Sequence, residues 1–180
     1  VSDELGGACV IFDNDGIIVD TEPGHFWARQ EALRLLGIIL TKEQYIRDGI
    51  SRGHREFLAN VVPGDILPPD DYDQFFREEI QMRYHAWRER YLRLVPGFLC
   101  LLDQLIDKEI PIAVASTQPK DTVLGGLKAR IRKRKLKIFR AIVSGEEVRC
   151  NKPAPDVYLE AARQLGAEPK NCVAVEDSVS

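Results

Sequence analysis

The sequence predicts an α/β fold, a parallel sheet with helices between its strands. Three observations carry that prediction: short continuous apolar runs rich in Val and Ile recur along the chain, helical patterns separate the later ones, and polar or acidic residues follow the run ends. With 180 residues, 44% of them hydrophobic and 29% charged, the chain can bury a sizeable core, which excludes collagen-like, mucin-like and fully disordered readings.

The apolar runs are Ala8 to Phe12, Ile110 to Ala115, Ala141 to Val143 and Cys172 to Val175. They are continuous rather than alternating, which suits strands covered on both faces. Pro119 to Ala129 reads as a helix leading from the second run toward the third. Pro155 to Leu165, stopped by Gly166, reads as the helix leading from the third to the fourth. Roughly a hundred residues separate the first run from the second, far more than a strand-to-helix crossover needs. That interval is itself helical: Phe26 to Leu36 before Gly37, a capping-box start at Thr41 and Gln44, Arg55 to Val62, and Tyr72 to Tyr91. The breakers Pro63-Gly64 and Pro68-Pro69 fall inside it, and Val95-Pro96-Gly97 marks the return to the sheet. The expected division is a core of residues 1–20 and 96–180 carrying an inserted helical subdomain of residues 21–95.

A formal net charge of −3 supplies no global positive field, so neither nucleic acid nor anionic lipid is an expected partner. One stretch runs against this balance, with Lys128, Arg130, Arg132, Lys133, Arg134, Lys135 and Lys137 in close succession. No aromatic residue interleaves it, and it reads as a solvated helix end and loop. No segment approaches the roughly 18 apolar residues of a membrane span, and Val1-Ser2-Asp3-Glu4 is acidic where a secretory signal would be basic. Cys9, Cys100, Cys150 and Cys172 form no C-x-x-C pair, and Cys9 and Cys172 sit in apolar runs as small hydrophobes do. The expectation is a monomer in a reducing cytoplasm.

The run ends are where chemistry concentrates. Asp13-Asn14-Asp15-Gly16 follows the first run, Ser116-Thr117 the second, and Glu176-Asp177-Ser178 the fourth. In an open α/β sheet the carboxyl ends of the strands face one crevice, so these groups should converge. Asp13, Asp15, Glu176 and Asp177 together repel one another too strongly to stay bare, and a hard divalent cation such as Mg²⁺ resolves the repulsion. Ser116 offers a hydroxyl and Lys152 a compact positive charge to the anionic oxygens of a phosphoryl group. Taken singly, each is an ordinary turn, cap or surface residue; together and in this order they point to one reaction.

These segments resemble a known family. Phe12 to Glu22, with Asp13 and Asp15 at its head, is similar to the first signature of the haloacid dehalogenase-like hydrolase superfamily, in the branch of β-phosphoglucomutases and small-molecule phosphatases. Val114-Ala115-Ser116 resembles its second motif, Asn151 to Asp156 its third, and Val175 to Ser178 its fourth. The resemblance implies a Rossmann-like three-layer core with a helical cap that closes over substrate. It implies that Asp13 attacks phosphorus to form an aspartyl-phosphate, while Asp15 protonates the leaving oxygen and then activates water. Mg²⁺ would be held by the Asp13 carboxylate, the Asp15 backbone carbonyl and Asp177, with Glu176 beside it. Ser116, Thr117 and Lys152 would bind phosphate. His25 and the pair Ser51-Arg52 resemble substrate-facing positions of the cap.

The function implied is Mg²⁺-dependent hydrolysis of a small phosphorylated metabolite, a sugar phosphate. The rivals are a β-phosphoglucomutase-like isomerase and a truncated scaffold that binds Mg²⁺ and phosphate but turns over poorly. Two departures from the family pattern bear on these. Asn14 stands where an apolar residue is usual between the aspartates, and the chain stops at Ser180, so the C-terminal part of the core is expected to be missing.

Overall fold

Residues 8–50 and 52–178 are described by a computed structural model. In chain order, β1 (Cys9–Phe12) and β2 (Val19–Asp20) precede a helical series: α1 (Glu22–Arg34), α2 (Lys42–Asp48), α3 (His54–Val61), α4 (Tyr72–Phe75) and α5 (Met82–Tyr91). There follow β3 (Arg93–Leu94), α6 (Phe98–Asp107), β4 (Ile112–Ser116), α7 (Lys120–Arg130), α8 (Lys133–Leu136), β5 (Phe139–Ser144), α9 (Asp156–Leu165) and β6 (Cys172–Val175). The chain divides into two compact units, Val1–Asp20 with Arg93–Ser180, and Thr21–Leu92.

In the first unit the long strands form one parallel sheet in the order β5-β4-β1-β6. The chain steps outward from β1 to β4 and β5, then returns to the other side of β1 for β6, which creates a switch point at the carboxyl end of β1. Ile11, Ala113, Ala115 and Val143 meet Val157, Ala161 and Ala162 of α9 on one face. Strand alternation turns Phe12 to the opposite face, where its ring meets Phe98 of α6 edge-on at 5.6 Å. Helices therefore flank the sheet on both sides in three layers. Gly166 closes α9 in the left-handed conformation at φ 69°, as its position in the sequence predicts.

The second unit buries Ala28, Ala32 and Leu33 of α1 against Tyr45, Phe57, Leu58, Tyr72 and Tyr84. The capping box of α2 forms reciprocally: the Gln44 N–H donates to Thr41 Oγ1 at 3.2 Å, and the Thr41 N–H donates to Gln44 Oε1 at 2.9 Å. The buried Arg29 lies over the rings of Tyr45 and Phe57, at 5.6 and 5.1 Å from their centroids.

Several expectations are corrected. The helix read over Tyr72 to Tyr91 is interrupted by a π-helical stretch, Phe76–Gln81, a widened turn that hydrophobic spacing does not encode. The return to the first unit comes at β3, which pairs antiparallel with β2 through Val19↔Leu94 and Asp20↔Arg93, a short ladder ahead of the Pro96-Gly97 breaker. Directly after Pro96-Gly97, where the breakers predict a loop, the chain forms helix α6. β6 is not covered on both faces: it lies at the sheet edge among the described residues, and Val173 is 60% exposed. Cys9 and Cys172 are not independent small hydrophobes; β1 and β6 pair with these residues directly opposite, and they are joined as a disulfide. That bond removes the cysteine argument for a reducing compartment. No described helix is long and apolar enough to cross a membrane.

Candidate active site

Asp13 begins where β1 ends. Its own N–H donates to the Val175 carbonyl at 2.9 Å, which fastens it to the end of β6, and its side chain is buried. The chain then turns tightly. Ile18 and Val19 both donate N–H groups to the Asn14 carbonyl at 3.0 Å, and Gly16 donates to the Val19 carbonyl at 2.8 Å. Half-buried Asp15 sits inside this loop, bridged to Val19. Gly16 has φ 75°, which favours glycine at this turn, and a Cβ placed on it would lie 1.9 Å from Asp177 Oδ2, so any side chain here would displace that carboxylate.

Charge is organised around Lys152, which precedes α9. Its Nζ donates to Asp13 Oδ1 at 2.6 Å and to Glu176 Oε2 at 2.7 Å, and it lies 4.8 Å from the centroid of the Tyr158 ring. The Tyr158 hydroxyl donates to the same Glu176 oxygen. The N–H and hydroxyl of Ser178 reach Glu176 Oε1 at 3.3 and 3.0 Å. Sequence reading missed Tyr158. The available signal was its place in the first turn of α9, which sets its ring beside the lysine of the preceding loop.

These contacts set the protonation of the cluster. Burial pushes Asp13 up to about 6, and the hydrogen bond and charge of Lys152 oppose that rise without cancelling it. Burial would lower Lys152, but its bonds to Asp13 and Glu176 outweigh that and hold it firmly cationic. Glu176 resists burial through Lys152 and Tyr158 and is pulled down to about 2. Asp177 is raised by burial and by the neighbouring Glu176 charge. Tyr158 is raised to about 12 by burial and its bond to Glu176, so it remains a donor at neutral pH.

Ser116 ends β4, the strand beside β1, and is fully buried, with its Oγ accepting the Gln118 N–H at 3.1 Å. Phe12 pairs with Val114, so Ser116 projects from the same end of the sheet as Asp13. Thr117 is exposed on the following bend. His25 and Arg52 belong to the helical unit. His25 stacks on Tyr84 with ring centroids 4.1 Å apart, and burial together with the Arg29 charge pushes it down to about 4. Arg52 is exposed and paired with Glu56. Ser51 lies outside the described residues.

Asp13, Glu176 and Asp177 each offer one oxygen, all within 4.8 Å of one another. A hard, anionic oxygen set of this kind suits a divalent ion such as Mg²⁺. The other expected metal contact, the Asp15 carbonyl, belongs to the same tight turn.

The chain is similar to known proteins along nearly its whole length. The family model described as "Haloacid dehalogenase-like hydrolase" matches residues 10–180. Protein CbbY of Rhodobacter capsulatus is 31% identical over 179 residues, covering 94% of this chain and 76% of its own. A phosphorylated carbohydrates phosphatase of Thermotoga maritima is 30% identical, covering 95% of this chain and 76% of its own. Among solved structures, CbbY from Rhodobacter sphaeroides in complex with phosphate superposes with a TM-score of 0.65 at 29% identity, covering 95% of this chain and 78% of that one. With nearly the whole chain matched and the strand-end acids in place, the chain belongs to the haloacid dehalogenase-like hydrolases and is a phosphomonoester hydrolase.

Proposed function

We propose that this enzyme is a Mg²⁺-dependent phosphatase of a small phosphorylated metabolite, a sugar phosphate, working through an aspartyl-phosphate on Asp13. The observation that carries the reading is the buried Asp13 carboxylate, bonded to Lys152 and grouped with Glu176 and Asp177 within 4.8 Å. The relatives named for phosphorylated carbohydrates and found with bound phosphate support the substrate class. A related CbbY structure holds xylulose-(1,5)bisphosphate.

Asp13, Asp177 and the Asp15 carbonyl would hold Mg²⁺, with Glu176 beside them; when bound, the ion neutralises the acidic cluster so that an anionic phosphoryl group can enter. Lys152 and Ser116 then fix the phosphoryl oxygens, with Thr117 as a further donor. As an Asp13 oxygen bonds to phosphorus, the phosphorus–oxygen ester bond breaks and Asp15 gives its proton to the departing alkoxide. Asp15, now a carboxylate, takes a proton from water attacking the aspartyl-phosphate, which releases inorganic phosphate and restores Asp13. Substrate choice is assigned to the helical unit, with His25, held as neutral imidazole, and Arg52 as the residues to test.

The test is a panel of phosphorylated metabolites assayed for inorganic phosphate with Mg²⁺ and with EDTA, on the wild type and Asp13→Asn. Turnover that needs Mg²⁺ and vanishes in the variant supports the reading. Turnover in EDTA, or more than a few per cent of the rate in a folded Asp13→Asn protein, overturns it. Phosphoryl label on the enzyme chased mainly into a sugar bisphosphate would assign it as a mutase instead.

A further inference from the structure

The basic stretch that the phosphatase chemistry leaves unused builds a cavity at the other end of the sheet. A pocket of about 490 Å³ opens where α6 hands over to β4 and α8 to β5. Ile106, Ile110 and Ile138 give it apolar walls, and Arg134, Lys137 and Arg140 line it with three cations against the single carboxylate of Glu109. Ile110 precedes β4, and Arg140 is the second residue of β5, whose first residue, Phe139, pairs with Ile112. The pocket therefore lies at the amino ends of these strands, whereas Ser116 and Ser144 pair at their carboxyl ends. One strand length, roughly 15 Å, separates it from the phosphoryl site.

The pocket walls are braced. Lys135 of α8 pairs with Asp103 of α6, so the basic helix is tied to the helix that supplies Ile106. The charge of Lys135 is answered by this pair. Arg134, Lys137 and Arg140 are exposed and have no ion-pair partner among the described residues. Three cations face the single carboxylate of Glu109 here, and an anionic ligand would balance the excess positive charge. Two guanidinium forks match the planar, bidentate geometry of phosphate or carboxylate oxygens, and the ammonium adds a point charge. A bare inorganic ion would leave the three isoleucines uncovered, while a cavity of about 490 Å³ is of the size that encloses a small organic ligand.

From this geometry we infer that the Arg134, Lys137 and Arg140 pocket is a second ligand site, distinct from the catalytic centre, for an organic phosphate of mononucleotide size. The phosphate sits among the three cations, the apolar body lies against Ile106, Ile110 and Ile138, and Glu109 accepts from a hydroxyl or amino group. A concave, partly apolar site with a few converging charges suits a small molecule, whereas a nucleic-acid surface would present its cations along an open track with stacking aromatics, which this stretch lacks.

The test is calorimetric titration of AMP into the Asp13→Asn protein, which cannot turn it over, in EDTA. Arms with inorganic phosphate and adenosine separate the two halves of the ligand. The expected result is one AMP per chain at this pocket, weakened at least about thirtyfold by Arg134→Ala with Arg140→Ala, retained when Lys152→Ala is added instead, and weaker for either half alone. Arg140→Lys keeps the charge without the fork and should lose a smaller part; circular dichroism and thermal melts establish that the exposed substitutions leave the fold intact. AMP binding that survives the double arginine substitution but is lost with Lys152→Ala would place the only site at the catalytic centre and overturn the inference. Inorganic phosphate binding as tightly as AMP, or an RNA oligomer binding where AMP does not, would overturn it equally.

Discussion

The Asp177 carboxylate fills the space in which a side chain on Gly16 would begin, with Oδ2 1.9 Å from the ideal Cβ position. The acidic loop after β1 and the acidic end of β6 are thus fitted to each other through a missing atom. Gly16→Ala adds that atom to a backbone at φ 75°, which is itself strained by about 1 kcal/mol for an L residue. The clash must move Asp177. Phosphatase turnover should fall by about 100-fold or more, with a higher Mg²⁺ requirement and an unchanged far-ultraviolet circular dichroism spectrum. Wild-type kinetics in this variant would contradict the placement of Asp177.

Tyr158→Phe removes a hydroxyl that donates to Glu176 while keeping the ring beside Lys152. Loss of a group that orients a prospective metal neighbour typically weakens metal binding by about 10- to 100-fold. The Mg²⁺ concentration giving half-maximal rate should rise within that range, with the rate at saturating Mg²⁺ reduced less. An unchanged Mg²⁺ dependence would show that Lys152 and Ser178 hold Glu176 without the hydroxyl.

Asp13, raised from 3.8 to about 6, takes up its proton more readily when folded than when unfolded. Between those values the folded state binds more protons, so this group's contribution to stability falls as pH rises. In EDTA, the stability of Asp13→Asn relative to wild type should therefore increase by about 2 kcal/mol from pH 4 to pH 7. Urea denaturation at the two pH values measures it. A difference that shrinks with pH would mean that Lys152 overrides burial at this carboxylate.

Asn14 is buried, and its Nδ2 finds no hydrogen-bond partner. An unsatisfied buried amide costs about 1 to 3 kcal/mol, and leucine repeats the branched heavy-atom skeleton of asparagine without its polar atoms. Asn14→Leu should raise the unfolding free energy by about that amount, read from the shift in urea midpoint at constant slope. A lower midpoint would show that the amide is satisfied in solution.

Cys9 and Cys172 are bonded across a sequence separation of 163 residues, and closing so long a loop restricts the unfolded chain by roughly 5 kcal/mol. Unreduced, denatured protein should titrate two thiols, Cys100 and Cys150, and four after reduction, with a lower melting temperature in reductant. Four thiols without reductant would place the pair in the dithiol state.

How far the sequence could be read depended on whether a feature is local. Thr41 and Gln44 announce their helix because both halves of the capping box lie within one turn. The strands were legible from their apolar content, with Pro111 delaying β4 to Ile112. Asp13, Ser116, Lys152, Glu176 and Asp177 could be named because strand ends in a parallel sheet share one edge. What escaped depends on pairing. The Cys9–Cys172 bond follows from a register that places the two residues opposite each other, and neither flanking sequence states it. Tyr158 matters only because α9 begins beside Glu176. Helix α6 carries a strong apolar face, Phe98, Leu102 and Leu105, but starts directly after Pro96-Gly97, which reads as a loop. The surroundings of His25 combine Arg29, one turn along the same helix, with the ring of Tyr84 on α5, which is distant in sequence.

The sheet order gives the two halves of the acidic cluster unequal anchorage. Asp13 rides on β1, which is laddered on both sides, while Glu176 and Asp177 ride on β6, laddered on one side among the described residues. Amides of β1 should exchange with solvent only on global opening, and those of β6 through a cheaper local excursion. The Cys9–Cys172 link tethers β6 at its amino end, so such an excursion should start at the other end as a hinged flap, once the bonds of Val175 and Lys152 to Asp13 open. A cation held across β1 and β6 would then latch that flap, and its release would be governed by the fraying of one strand rather than by the stability of the whole unit.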